Sequence, residues 1–331
     1  MPKRKRNKKP NPIVPPSKAI IVKKEKKAKV NVAKKNEQFS STAESLELIK
    51  SYHTLNKRLE QNARDDTIEE DERRTNAEKI RKEQEALGGI EKYQLASMYG
   101  AKSSKFVCAH WVEPLLREHI RASSSTKDSM KAEVKRKRPL ILDVGAIDNQ
   151  YLKYDWFDAV PIDLNAQHES VVQADFFDYA IDHIESNHGC KGDEQKNTLF
   201  DAIVLSLVLN FQGDPRKRGD MLSLAADARL LGAGGLVFVA LPSASLDNSR
   251  YCDEDYLIQI CEALDLKVVQ RKRSAKLALL TFQRVGESDF RAYDVKSKCF
   301  QYQKEFSRAP TKKGGGRNNF AIMLKNSTSR I

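Results

Sequence analysis

Past residue 139 the chain alternates short runs that are apolar at almost every position with stretches of helical spacing. The apolar runs predict strands at 140–144, 159–162, 170–173, 202–207, 236–241, 267–270 and 277–283, with helices near 215–230 and 254–264. Strands apolar on both sides need cover on both faces, so the alternation predicts an α/β fold with a parallel sheet between helical layers. Only residues 271–276 separate the last two strands. They are predicted to form an antiparallel hairpin at the end of the sheet. Residues 320–324, after the loop Gly314-Gly315-Gly316, are one further strand candidate.

Before residue 139 the spacing is helical. Ser41-Thr42-Ala43-Glu44 has capping-box form, and Leu46, Ile49, Tyr52 and Leu55 follow at helical intervals. Residues 60–86 carry charges of both signs and few large apolar side chains, which predicts one or two solvated helices ended by Gly88-Gly89. Shorter helical segments are expected at 90–98, stopped near Gly100, and at 106–119. The polar run Ser123-Ser124-Ser125-Thr126 and the basic cluster Lys135-Arg136-Lys137-Arg138, closed by Pro139, lead into the sheet. The expected divisions are a basic tail at 1–40, a charged helical region at 41–87, a helical segment and linker at 88–138, a sheet domain at 139–285, and a C-terminal extension at 286–331.

Charge changes the picture at the N-terminus. Of 58 basic and 45 acidic residues, the first 36 positions hold 14 and 1, so the tail carries the whole net charge of +13 and the rest is neutral. Lys3-Arg4-Lys5-Arg6 and Lys23-Lys24-Glu25-Lys26-Lys27, interrupted by prolines, bury too little apolar surface to offset chain entropy and predict a disordered polycation. Such a tail reads as a nuclear or nucleolar address for the import machinery that also meets RNA phosphates; a solvating tail is the plainer alternative. It has no apolar segment like that of a secretory signal. The longest apolar run, 202–211, is too short to span a bilayer, so no membrane partner is expected. Five dispersed cysteines without a CxxC pair suggest neither a metal site nor a disulfide framework.

In open α/β sheets ligands sit beyond the carboxyl ends of the strands. The first strand closes with Asp143-Val144-Gly145-Ala146. The second closes with Asp163, where a carboxylate can accept from both hydroxyls of a ribose. The third is followed by Asp175-Phe176, an acid for an exocyclic amine beside a ring for an adenine, and the fourth leads through Ser206 to Asn210-Phe211. Each piece alone is ordinary turn chemistry. The ordered set suits an adenosine ligand. A dinucleotide would want a G-x-G-x-x-G cradle for its pyrophosphate, whereas Gly145-Ala146-Ile147-Asp148-Asn149 has one glycine and an acid. A sulfonium is favoured there over an anion, which points to S-adenosylmethionine.

These strands resemble a known family, the fungal 25S ribosomal RNA adenine-N1 methyltransferases and their metazoan relatives, the S-adenosylmethionine sensors of TOR signalling. The resemblance rests on GGIEKYQLASMYG (88–100), LILDVGAIDN (140–149), IDLN (162–165), ADFFD (174–178), SLVLNF (206–211), RGDML (218–222), NSRY (248–251) and RNNFAIML (317–324). It implies a class I methyltransferase fold, a Rossmann-like parallel sheet with an antiparallel end hairpin. It further implies S-adenosylmethionine as cofactor and N1 of an adenine in large-subunit ribosomal RNA, free or in pre-ribosomal particles, as substrate, in the nucleolus. Gly145 and Asp163 are the implied cofactor contacts, with Asp143, Asp175, Phe176 and Ser206 close by.

Adenine N1 has its own lone pair and needs no base to deprotonate it. The chain lacks the Asn/Asp-Pro-Pro-aromatic loop of N6-amine enzymes after the fourth strand, and a pyrimidine-C5 cysteine nearby. N1 lies on the pairing edge, so the base must be unpaired or flipped, then stacked and held. Phe211 and Tyr251 are candidates for stacking, Asn210 and Asn248 for the base edge, and Arg216, Arg218 and Arg250 for phosphates. Tyr93 and Gln94 can be read as helix packing. The rival from another class is a silent S-adenosylmethionine sensor acting through protein binding.

Overall fold

The computed structural model describes residues 39–63, 67–103, 106–124, 138–166, 168–186, 199–286 and 289–327. The tail as far as residue 38, most of the 125–138 linker and the segment 187–198 lie outside the described residues, and with them the tail's predicted disorder.

The sheet domain contains β1 (Leu140–Val144), β2 (Asp158–Asp163), β3 (Val172–Gln173), β4 (Phe200–Ser206), β5 (Leu231–Pro242), β6 (Leu266–Arg273) and β7 (Leu277–Arg284), in the order β3-β2-β1-β4-β5-β7-β6. Every pairing among the first five is parallel. β7 runs antiparallel to both of its neighbours, so it alone is reversed. The predicted hairpin is β6–β7, with β7 on its inner side.

Period-two alternation divides the core between the two faces. Leu142, Val144, Ile203, Leu205, Val237 and Val239 face one cluster. Ile141, Ala202, Val204, Leu236, Phe238 and Ala240 face the other. Helix α4 (Cys108–Ser124) contributes to the second cluster, placing Cys108, Ala109, Val112 and Leu116 inward at helical spacing and Trp111 edge-on to Phe238 at 5.2 Å. On the first face lie α5 (Phe176–Ser186), α6 (Pro215–Ala226) and α8 (Glu254–Glu262). The strand pattern did not predict α5; its buried Phe176, Ala180 and Ile184 recur at helical spacing.

Three helices precede the sheet domain: α1 (Thr42–Ala63), α2 (Glu70–Ala86) and α3 (Gly89–Ser103). The capping box holds in modified form. Ser41 Oγ accepts from the Glu44 amide at 3.2 Å, while the Glu44 carboxylate accepts from the amide of Ser40, one residue earlier than the simple motif. The Tyr52 ring on α1 stacks on Tyr93 of α3 at 4.8 Å, and Arg58 of α1 pairs with Glu83 of α2. The helical region therefore does not end at residue 87: α3, which runs through Gly100 without stopping, packs with the other two.

The C-terminal extension is part of the core. Phe300, Tyr302, Phe306, Phe320, Ile322 and Leu324 join the first cluster. The expected strand at 320–324 is instead extended chain with one isolated bridge, Phe306 to Leu324. Its backbone groups bond to α6 rather than to a sheet edge, since the Met323 amide donates to Pro215 O at 2.9 Å. This approach explains the glycine of RGDML: a Cβ on Gly219 would lie 1.9 Å from Met323 O. Two buried arginines complete the attachment. Arg229 binds both carboxylate oxygens of Asp227 and donates to Tyr293 O at 2.7 Å, and Arg218 donates to Ala321 O at 2.6 Å.

Gly219→Ala should therefore lower stability by at least about 2 kcal/mol, because a backbone oxygen must move. Gly286→Ala, whose Cβ meets nothing within 4 Å, should change it by less than about 0.5 kcal/mol. Thermal unfolding of the two variants beside the parent checks both.

Candidate functional site

The carboxyl ends of β3, β2, β1, β4 and β5 lie side by side in that order, so the residues leaving them form a row along one edge of the sheet. Asp175, Asp163 and Gly145 hold one half of the row. Ser206 to Phe211 follow, and Asn248 to Tyr251 stand after β5, beyond the short helix α7 (Ala244–Asp247).

Gly145 has φ +75°, and its amide and that of Ala146 donate to Ile162 O at 2.8 and 3.0 Å, which ties the turn after β1 to β2. A Cβ there would stand 2.3 Å from Cγ1 of Val208. The position needs glycine for both its backbone conformation and the close approach of the loop after β4. Asp163 is partly buried. Its Oδ1 accepts from the Asn165 amide at 2.8 Å, and burial raises its carboxyl against the lowering effect of that bond. Asp143 is buried behind the turn, and burial first, then the charge of Asp148, pushes it up to about 8.

Asp175 caps α5, with Oδ1 accepting from the Phe177 amide at 2.7 Å. Phe176 corrects the expectation from sequence: it is 6% exposed within the core, so its ring does not offer a face to an adenine. The exposed apolar side chain beside Asp163 is Leu164, at 69%. Ser206 closes β4 next to Cys108, whose thiol is pushed up to about 12 by burial and then by Asp143, against the opposing hydrogen bond from Ser206.

In the second half of the row, Asn210 holds a side-chain oxygen that is buried without a partner. Phe211 projects outward, and the His53 imidazole of α1 lies flat on it, 4.0 Å between centroids and 13° between planes. Tyr93 of α3 stands edge-on to the same imidazole, with its hydroxyl 3.2 Å from Nε2. Gln94 donates to Asn165 O at 3.0 Å, leaving its own side-chain oxygen buried and unpartnered. Burial, and secondarily Lys57, depresses the His53 imidazole to about 4. Helices α1 and α3 thus reach the edge of the sheet, α3 at Asn165 and α1 at Phe211.

The residues of NSRY hold backbone more than they present side chains. The Asn318 amide donates to Asn248 O at 2.8 Å, the Arg250 amide donates to Asn318 O at 3.1 Å, and Ser249 Oγ donates to Phe320 O while accepting from the amides of Tyr251 and Cys252. NSRY and RNNFAIML are thus two halves of one clamp. The Tyr251 ring is covered by the Arg308 guanidinium at 4.3 Å, so it is not the open stacking face expected. Arg218 is likewise no phosphate ligand. It is 3% exposed, its Nε donates to Leu209 O and Gln212 O at 3.0 and 2.7 Å, and it lies over the Phe320 ring at 4.5 Å. It fixes the loop that carries Asn210 and Phe211. Arg216 remains exposed.

Sequence reading does not assign His53 or Leu164 to the site, and it reads Tyr93 and Gln94 equally well as helix packing. Tyr93 and Gln94 do lie within one of the motifs it singled out. His53 sits next to Tyr52 in the apolar periodicity of α1, and nothing in the pattern separates it from that stripe. Among the described residues no cluster of three or more His, Cys, Asp and Glu could hold a metal ion, and no helix is long and apolar enough to cross a membrane.

The strand order with its single reversed strand, and the glycine and acids along one edge, define a class I methyltransferase fold. Residues 78–322 match the family described as 25S rRNA (adenine(2142)-N(1))-methyltransferase, Bmt2, and the chain belongs to that family. It is 29% identical over 241 residues to the Saccharomyces cerevisiae protein named 25S rRNA (adenine(2142)-N(1))-methyltransferase, covering 72% of this chain and 60% of that one. The chain thus aligns with less than two thirds of that relative's length. It is 28% identical over 241 residues to the Schizosaccharomyces pombe 25S rRNA adenine-N(1) methyltransferase, covering 71% and 76%. It is also 32% identical over 119 residues to a Xenopus laevis S-adenosylmethionine sensor upstream of mTORC1, covering 33% and 29%.

A histidine held neutral by burial binds its proton more readily when unfolded, so it adds stability that is complete above about pH 6.5 and fades as the pH falls toward 4. Between pH 7 and 5 the parent should lose roughly 2 kcal/mol more than His53→Phe. Denaturant titrations at the two pH values give the difference directly, and the raised carboxyl of Asp143, common to both proteins, cancels from it.

Proposed function

We propose that this protein transfers a methyl group from S-adenosylmethionine to N1 of an adenine in large-subunit ribosomal RNA. The observation that carries the reading is the family match over residues 78–322, which includes the whole row of edge residues. The residues present fit the cofactor. The close turn at Gly145 leaves no room for a side chain, and Asp163 offers a carboxylate for ribose hydroxyls. When bound, S-adenosylmethionine supplies an electrophilic methyl carbon on a sulfonium.

The chain's own part is position. Adenine N1 attacks with a lone pair it already has, so the barrier is lowered by holding the base in line rather than by removing a proton. Asn210, with its unpartnered oxygen, suits the exocyclic amine of an adenine, and Phe211 beside it offers a ring. Asn248, Arg250 and Tyr251 contribute through the clamp that sets the loop after β5, and the exposed Arg216 would be the phosphate ligand. The basic tail would supply nucleolar address, contact with the import machinery and salt-dependent affinity for pre-ribosomal RNA. The second reading, a sensor of S-adenosylmethionine, is favoured by the likeness to the Xenopus protein, which covers only a third of the chain.

Asp163→Ala should weaken S-adenosylmethionine binding by about 30- to 150-fold, equivalent to roughly 2 to 3 kcal/mol of charge-assisted hydrogen bonding, and Gly145→Arg should abolish it. Calorimetric titration checks both; an unchanged dissociation constant in a folded Asp163→Ala protein removes the assignment.

Cells without the protein should lose one reverse-transcription stop at an adenine of the large-subunit RNA, because methylated N1 cannot pair. An unaltered pattern of stops, together with tight cofactor binding by the purified chain, would transfer the assignment to the sensor.

A further inference from the structure

The neutral imidazole of His53 lies flat on Phe211 at the distance of a stacked base, and the Tyr93 hydroxyl meets its ring nitrogen. A planar nitrogen heterocycle, stacked on one ring and bonded at its edge by a phenol, is what an unpaired nucleobase would be if it entered the same place. We propose that the slot between Phe211 and Tyr93 is the receiving site for the unpaired adenine, and that His53 occupies it until the base displaces it. The inference rests on the RNA methyltransferase reading and adds to it the location of the substrate base and the residue competing for that location.

Three further observations support it. Phe211 directly follows β4 through a turn in which Leu207 has φ +60°, and Arg218 anchors the carbonyls of Leu209 and Gln212 on either side of Asn210 and Phe211. The ring is therefore held by a braced loop, whereas His53 arrives from a separate helix. Asn210 next to it keeps a buried acceptor oxygen unsatisfied, and an adenine brings an amine donor. His53 itself leaves Nδ1 buried without a partner, so its stay in the slot is incompletely bonded and a ligand with more donors and acceptors can replace it.

His53→Ala vacates the slot and leaves both faces standing. A short uridine RNA with a single adenine should then bind about 3- to 10-fold more tightly, and the KM for RNA should fall by a similar factor with kcat changed less. His53→Phe keeps the stack and should weaken RNA binding. In the Phe211→Ala background the effect of His53→Ala should vanish, since the shared face is gone. The same RNA carrying 2-aminopurine in place of adenine reports stacking by fluorescence quenching, which should be deeper in His53→Ala and lost in Phe211→Ala. S-adenosylmethionine affinity should stay constant throughout. The proposal is overturned if folded His53→Ala binds RNA no better than the parent, or if His53→Phe and His53→Ala shift affinity in the same direction. Because 2-aminopurine binding is read without turnover, absence of methylation in every variant would count against the proposed activity alone.

Discussion

Arg218 sits where three parts of the chain meet. Its guanidinium is buried, and it donates to carbonyls of the loop after β4 and of the C-terminal extension while covering the ring of Phe320. Removing a guanidinium from water costs several kcal/mol, and such a group is stable only where its donors are matched by well-placed acceptors. Charge-assisted bonds to carbonyls do so here, with a cation–π contact on one face. The loop that carries Asn210 and Phe211 thereby takes its shape from residues more than a hundred positions further along the chain.

The same constraint explains why several conspicuous motifs are structural. RGDML supplies the arginine and the glycine against which the extension lies; NSRY and RNNFAIML exchange backbone hydrogen bonds. Arg229 repeats the device nearby, joining Asp227 to the carbonyl of Tyr293. Each of these groups is engaged within the chain itself. Their work is to hold a row of strand ends at fixed spacing, which is what the proposed transfer, governed by alignment, would require.

The sheet was legible because its strands are apolar on both sides, a pattern with few alternatives. The places of the glycine turn and of Asp163 along the edge were legible because each closes its own strand. Long-range contacts were not. Phe176 looks, in sequence, like a ring beside an acid, but the cap made by Asp175 starts a helix and turns that ring into the core. Phe320 to Leu324 has a strand's composition, yet it runs against α6, where Gly219 leaves room for its backbone. Arg218 reads as a solvated loop arginine until its carbonyl partners are known. His53 was invisible for the opposite reason: it shares the periodicity of an ordinary amphipathic helix, and only the fold shows that this part of the stripe lies over Phe211.

The clamp also has a bearing on how the molecule comes into being. Chains emerge N-terminus first and their domains tend to form in that order, while contacts between distant residues form late. The strands that carry Gly145, Asp163 and Asn210 are all complete by residue 242. The acceptor on Ala321 that helps fix the loop after β4 appears roughly eighty residues afterwards. A growing chain would therefore hold the five parallel strands and the glycine turn well before the loop after β4 takes its final shape, so the two halves of the row are finished at different times.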